Sequence, residues 1–190
     1  AVTDVFVRAD LETVENAVSA AAALPSLEQC ADVPSLESIT RTPSDPAKRR
    51  RIAEVREELA QFLAARDSGR CDRATGLAEA LVSDVDATGY EPLRAEALLA
   101  AGEMGNTCSD QAVAVRRLKA AFAAAIAGRS DAKAVEAAAT LMNLEVRAGD
   151  LERARDWQEL GRAALERMGD EDRLEKAWLL AGEALVKNAS

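Results

Sequence analysis

Apolar residues recur along this chain at the three- and four-residue spacing of helices, not at the alternate spacing of strands. Leu11, Val14, Val18 and Ala21 share one side of an early segment. From residue 46 onward the pattern predicts first helices at about 46–67, 90–105, 130–147 and 170–187, and second helices at about 71–86, 109–127 and 151–168. The punctuation agrees with those cuts. Gly89, Gly128, Gly149 and Gly169 read as helix stops, and Ser130, Asp150 and Asp170 as the caps that follow them. Asp45-Pro46 reads as a cap with proline at the first helical position. Upstream, Asp10 caps a helix that runs to Leu24 and is ended by Pro25, and the residues before Asp10 read as the tail of another helix. The proline-spaced stretch from Pro25 to Pro46 holds one short helix at about Val33 to Ser38.

The later helices repeat. Gly69-Arg-Cys-Asp-Arg-Ala74 matches Gly149-Asp-Leu-Glu-Arg-Ala154, and Ala97-Leu-Leu-Ala-Ala-Gly-Glu103 matches Ala177-Trp-Leu-Leu-Ala-Gly-Glu183, both at two steps of about 40 residues. Residues 1–45 are therefore an N-terminal helical segment and link outside the repeat. Residues 46–190 are three helix pairs plus a C-terminal capping helix, which covers the last apolar face of the array.

Composition supports an all-α fold and narrows the chemistry. Hydrophobic residues make up 48% of the 190, dominated by alanine, while aromatics are only 3%. The net charge of -9, with both signs interspersed along the helices, leaves no basic face for a nucleic-acid partner. The longest apolar run, Ala120 to Ala127, falls well short of the roughly 20 residues that cross a bilayer, and no signal-peptide pattern opens the chain. The chain starts at Ala1 directly in helical sequence, as a piece of a larger protein would.

The sequence contains no histidine, which removes hydrolase triads, histidine metal sites and the commonest general base. Cys30, Cys71 and Cys108 form no C-x-x-C pair, so neither a zinc site nor a redox motif is expected. Cys71 and Cys108 both fall in turns on one edge of the array. A bridge needs Cα atoms within about 7 Å, and adjacent helix pairs stack at roughly 10 Å, so separate thiols are expected unless the region is extracytoplasmic. No cofactor or metal is implied, and the fragment reads as non-enzymatic. The adjacent carboxylates Glu57 and Glu58 point apart on a helix.

Ala74, Ala114 and Ala154 stand at the position where paired helices cross, and Leu98 with Ala101 and Gly102, then Trp178 with Ala181 and Gly182, resemble the W-x-x-L-G segment of tetratricopeptide repeats. Leu118 and Ala121 fit the second-helix places of that motif, whereas Phe62 and Met142 stand where glycine is usual. This resemblance implies a right-handed α-α solenoid of antiparallel pairs, with a longer period than the family's. The segment Leu24-Pro-Ser-Leu-Glu-Gln-Cys-Ala-Asp-Val33, a proline-rich link and Gly-Arg-x-x-x-Ala turns also resemble the C-terminal region of myxobacterial-type serine/threonine protein kinases. The kinase motifs themselves, G-x-G-x-x-G, H-R-D and D-F-G, are absent.

What the tetratricopeptide resemblance implies is a groove lined by the first helices. Its inward positions hold Arg56, Leu59, Leu63 and Arg66; Glu96, Leu99, Glu103 and Asn106; Glu136, Ala139, Asn143 and Val146; and Lys176, Leu179 and Glu183. An extended peptide is expected to lie on Leu59, Leu63, Leu99 and Leu179 and to meet Asn106 and Asn143, with Glu96, Glu103, Glu136 and Glu183 favouring basic residues. A carboxylate clamp of paired lysines and asparagines is not expected here. The basic run Lys48-Arg-Arg-Arg51 reads as a solvated face, with an acidic lipid surface or the kinase domain as other contacts. Trp157, Trp178, Tyr90, Phe62 and Phe122 read as packing residues.

The function expected is a protein- or peptide-binding scaffold, the sensory or recruiting arm of a kinase. The alternatives are a dimerisation module of a signalling protein and a repeat-type ligand sensor. The sequence leaves the compartment open, cytoplasmic or extracytoplasmic.

Overall fold

The computed structural model describes residues 7, 9–22, 40–104, 108, 110–169 and 174–189. Cys30, Asn106, Asp170 and the short helix expected near 33–38 lie outside them. The described helices are α1 (Leu11–Glu15), α2 (Ala17–Ala22), α3 (Pro46–Asp67), α4 (Cys71–Thr88), α5 (Glu91–Glu103), α6 (Gln111–Ala127), α7 (Asp131–Ala148), α8 (Leu151–Met168) and α9 (Leu174–Ala189). From α3 on, each begins and ends within a few residues of its predicted position.

Local chemistry sets those ends. Asp45 Oδ1 accepts from the amides of Ala47 at 2.8 Å and Lys48 at 3.5 Å, Asp110 Oδ1 from Ala112 at 2.7 Å and Val113 at 3.2 Å, and Asp150 Oδ1 from Arg153 at 3.1 Å. Asp10 caps α1 by accepting from both the amide (2.9 Å) and the hydroxyl (2.7 Å) of Thr13. Ser130 departs from its expected role and makes no side-chain cap bond, and α7 instead starts with the acidic Asp131 in its first turn. Gly149, at φ 81°, ends α7 in the left-handed conformation that disfavours any residue with a Cβ.

Consecutive helices joined by such short turns run antiparallel. Within pairs, α3 packs on α4, α5 on α6 and α7 on α8; between pairs, α4 meets α5 and α6 meets α7. Three apolar cores follow one another. The first is built from α3 and α4 with Leu93, Ala97 and Ala101 of α5 and Met104 just after it. In the second, Leu98 and Leu99 of α5 meet Ala114, Leu118 and Ala121 of α6 and Ala137, Leu141 and Leu144 of α7. The third joins Val135 and Met142 of α7 to Ala154 and Ala164 of α8 and Leu179 and Val186 of α9. Each inner first helix thus buries two faces, one toward the preceding pair and one toward its own. The crossing alanines Ala74, Ala114 and Ala154 are wholly buried.

Close approach explains the small residues. A Cβ on Gly102 would stand 2.6 Å from Leu118 Cγ, and one on Gly182 would overlap the Met142 methyl, so the methionine occupies the space its repeat-equivalent glycine leaves. Four of the five aromatics pack in the cores as expected, and Trp178 is half-buried outside them. Phe122 meets Trp157 edge to face with ring centroids 5.5 Å apart, Phe62 is buried, and the Tyr90 hydroxyl donates to the Thr40 carbonyl at 2.9 Å.

Cys71 and Cys108 are bonded to each other, with Cα atoms 5.1 Å apart, which corrects the expectation of separate thiols. The 10 Å spacing governs helix axes. Cys71 is the first residue of α4, and Cys108 lies in the turn after α5, its amide folded back onto the Met104 carbonyl at 2.8 Å. Turn backbone is free of ridge packing and comes closer.

Candidate interaction face

The first helices do share a face, but not the one expected. Leu59, Leu99, Ala139 and Leu179 are buried in the cores, and Leu63 is half-buried against the first, so the aliphatic strip proposed for a peptide is part of the packing. The four buried residues stand at one repeat position, spaced by 40 on successive first helices, and at that position the side chain is taken into the packing. What remains open is polar.

A ladder of charges crosses three first helices. Arg66 of α3 donates from Nε to Asp67 at 2.7 Å and from Nη1 to Glu103 Oε2 of α5 at 2.7 Å, and it also reaches the Ala100 carbonyl at 3.3 Å. On α7, Lys133 Nζ donates to Glu136 at 2.8 Å. Burial pushes the Glu103 carboxyl above the ordinary glutamate range, helped by Glu136 and opposed by Arg66 and Lys133. Burial works against the Lys133 ammonium, yet Glu136, Glu96 and Glu103 together raise its pKa. On α9, Glu183 accepts from Arg162 of α8 at 2.6 Å, and Lys176 is half-buried. Arg56 is exposed on α3.

Three of the four glutamates expected to attract a basic ligand are therefore neutralised within the chain, by Arg66, Lys133 and Arg162. Only Glu96 has no direct ion pair among the described residues. Lys133 was legible as an i, i+3 partner of Glu136. Arg162 was not, because its glutamate lies on another helix. Asn143, from the same face, has its side-chain oxygen shut from solvent and, among the described residues, no hydrogen-bond partner.

Elsewhere, Arg51 leaves the basic run to pair with Asp84 of α4 and with Glu54 at 3.5 Å and Glu58 at 3.7 Å, while Lys48, Arg49 and Arg50 stay exposed. Glu57 is exposed and Glu58 turns toward α4, so the two do point apart. Burial and the neighbouring Asp84 raise the Glu58 carboxyl. Among the described residues no group of three potential ligands is placed to hold a metal, and no helix is long and apolar enough to cross a membrane. Comparison of the chain with known protein families, curated proteins and solved structures finds no match.

The Glu103 environment sets a pH dependence. The folded chain holds the Glu103 proton more tightly than the unfolded chain, so stability falls as pH rises from the ordinary glutamate value of 4.5 through the raised folded one. Against Glu103→Gln as reference, the wild-type chain gains stability between pH 7 and pH 5 in paired urea titrations. An unchanged difference at the two pH values would show that the carboxyl is not perturbed.

Proposed function

We propose that this chain is a non-catalytic protein- or peptide-binding scaffold, a tetratricopeptide-like solenoid that forms the recruiting or sensory C-terminal region of a bacterial serine/threonine protein kinase. The reading rests on the open polar face of the first helices, which the pairs Arg66–Glu103 and Lys133–Glu136 cross, and on the half-buried Glu96, which has no direct ion pair among the described residues and is the carboxylate for a basic side chain of a bound segment. The pairing of the other glutamates makes charge selection modest.

The parent kinase is supported by the Leu24 to Val33 segment, the proline-rich link and the repeat turns. The Cys71–Cys108 bridge supports an extracytoplasmic position for this region, because structural disulfides persist in oxidising compartments.

The test uses two labelled synthetic peptides in fluorescence anisotropy, one alternating lysine with serine and one alternating glutamate with serine. The lysine peptide is expected to saturate, and Glu96→Gln to weaken it about two- to fivefold, the range of one exposed ion pair. Absence of saturation with both peptides, or a Glu96→Gln affinity equal to wild type, rejects the face as the docking site.

A further inference from the structure

One edge of the array displays unengaged cations in a chain whose net charge is -9. First helices start and second helices end at this edge, so the starts of α3, α5 and α7 meet the ends of α4 and α6 there. Contacts hold these ends together. Arg51 of α3 pairs with Asp84 of α4. Tyr90, just before α5, donates from its hydroxyl to the Thr40 carbonyl, and the Thr40 amide donates to the carbonyl of Gly128, just after α6, at 3.0 Å. Gly128 lies against α5 in turn, since a Cβ there would stand 2.9 Å from the Pro92 nitrogen. Arg41, next to Thr40, and Arg129, next to Gly128, thus share the edge with Lys48 and Arg49 of α3.

All four cations are exposed, and none has an ion pair or a side-chain hydrogen bond among the described residues. The neighbouring carboxylates are engaged. Asp45 accepts from the amides of Ala47 and Lys48, Asp86 and Glu91 pair with Arg94 at 2.6 and 3.5 Å, and Asp131 pairs with Arg167 at 2.6 Å.

Three of the four stand where the backbone prefers another residue. Lys48 and Arg49 lie in the first turn of α3, where positive charge opposes the helix dipole and no acid is present, whereas α4, α5, α7, α8 and α9 each carry an acid in that turn. Arg129 has φ 56°, and its repeat equivalents are Gly89 at 58° and Gly169 at 87°. Glycine adopts that left-handed conformation freely, and an exposed arginine bonded to nothing gains no packing from it. Nothing inside the chain accounts for these charges.

We propose that this edge, through Arg41, Lys48, Arg49 and Arg129, docks the chain on an anionic phospholipid surface, with the helix axes upright and nothing inserted. A protein segment would have to freeze four long, mobile side chains in one geometry, whereas fluid headgroups rearrange around them. The acidic remainder of the array does not oppose the contact. A surface potential decays within about 8–10 Å at moderate salt, while the 22 residues of α3 rise about 33 Å from the edge.

Co-sedimentation with vesicles is the experiment, one set of phosphatidylcholine alone and one with about 30% phosphatidylglycerol. The chain is expected to pellet with the second set only, and to be released as salt rises to about 0.5 M. Lys48→Glu with Arg49→Glu is expected to lower the affinity at least tenfold, and Arg129→Gly about fivefold with its melting midpoint kept, because glycine suits the backbone there. Arg116→Glu is the control for net charge: it changes an exposed cation about 16 Å up α6 from the edge and is expected to leave binding within about twofold of wild type. The double variant, which changes exposed side chains only, decides alone if Arg129→Gly melts early. Equal pelleting with both vesicle sets, none with the anionic set at low salt, or an equal loss from Arg116→Glu overturns the proposal. So does saturation by the glutamate–serine peptide with no binding to vesicles, which would make the edge a peptide site.

Discussion

Replacing Cys71 and Cys108 together by serine is expected to lower stability by about 4 kcal/mol, the chain-entropy value for a loop of this size. The bridge spans a sequence separation of 37 and joins the start of α4 to the turn between α5 and α6, so it ties the first helix pair to the second. Arg66–Glu103 crosses the same junction. In a linear array each pair is held only by its neighbours, so losing this tie should loosen α3 and α4 more than α7 and α8. Urea unfolding of the wild-type chain with and without a dithiol reductant measures the effect, and hydrogen exchange locates it. The serine variant should match the reduced wild type and ignore the reductant. Equal midpoints for oxidised and reduced wild type would show that the bridge carries no stability.

How much of this could be read in the sequence depends on the range of the interaction concerned. Helix limits were legible because caps and stops are local: Asp45, Asp150 and Gly149 act within a turn of where they stand. Ser130 misled for a related reason, since a residue suited to capping need not turn its hydroxyl onto the backbone. The crossing alanines were legible through the repeat. Faces were not. Leu59, Leu99 and Leu179 entered the cores because rotation of a helix about its axis is fixed by tertiary packing. Pairing across helices was equally hidden. Glu103 and Glu183 read as open acidic positions until Arg66 and Arg162 were seen beside them, 37 and 21 residues away in sequence. The bridge lay beyond reach because helix spacing says little about turns.

Phe62→Ala is expected to cost about 3–5 kcal/mol, as much as the bridge, and by a different route. Phe62 is wholly buried in the first core, together with Ile52, Val55, Leu59, Leu81 and Val85 of the same pair, with Leu93 of α5 and with Met104 at its C-terminal end. Its repeat equivalents are Gly102, Met142 and Gly182, alternating large and small. At the far end the reason is visible, since Met142 fills the room over Gly182. Among the described residues the short helices α1 and α2 precede the first pair, and a ring at position 62 supplies volume where an inner first helix has a neighbouring core to share. Removing the ring leaves a cavity that alanine-rich helices cannot collapse to fill, because their small side chains already set the closest approach. Phe62→Leu keeps most of the volume and should lose less than about 1.5 kcal/mol. The pair of variants separates packing from local helix propensity, in which alanine is the better residue: a Phe62→Ala chain as stable as Phe62→Leu would mean that the first core is not close-packed around this ring. Hydrogen exchange should find the loss in α3 and α4, with α8 and α9 unchanged, because among the described residues the first and third cores share no residue.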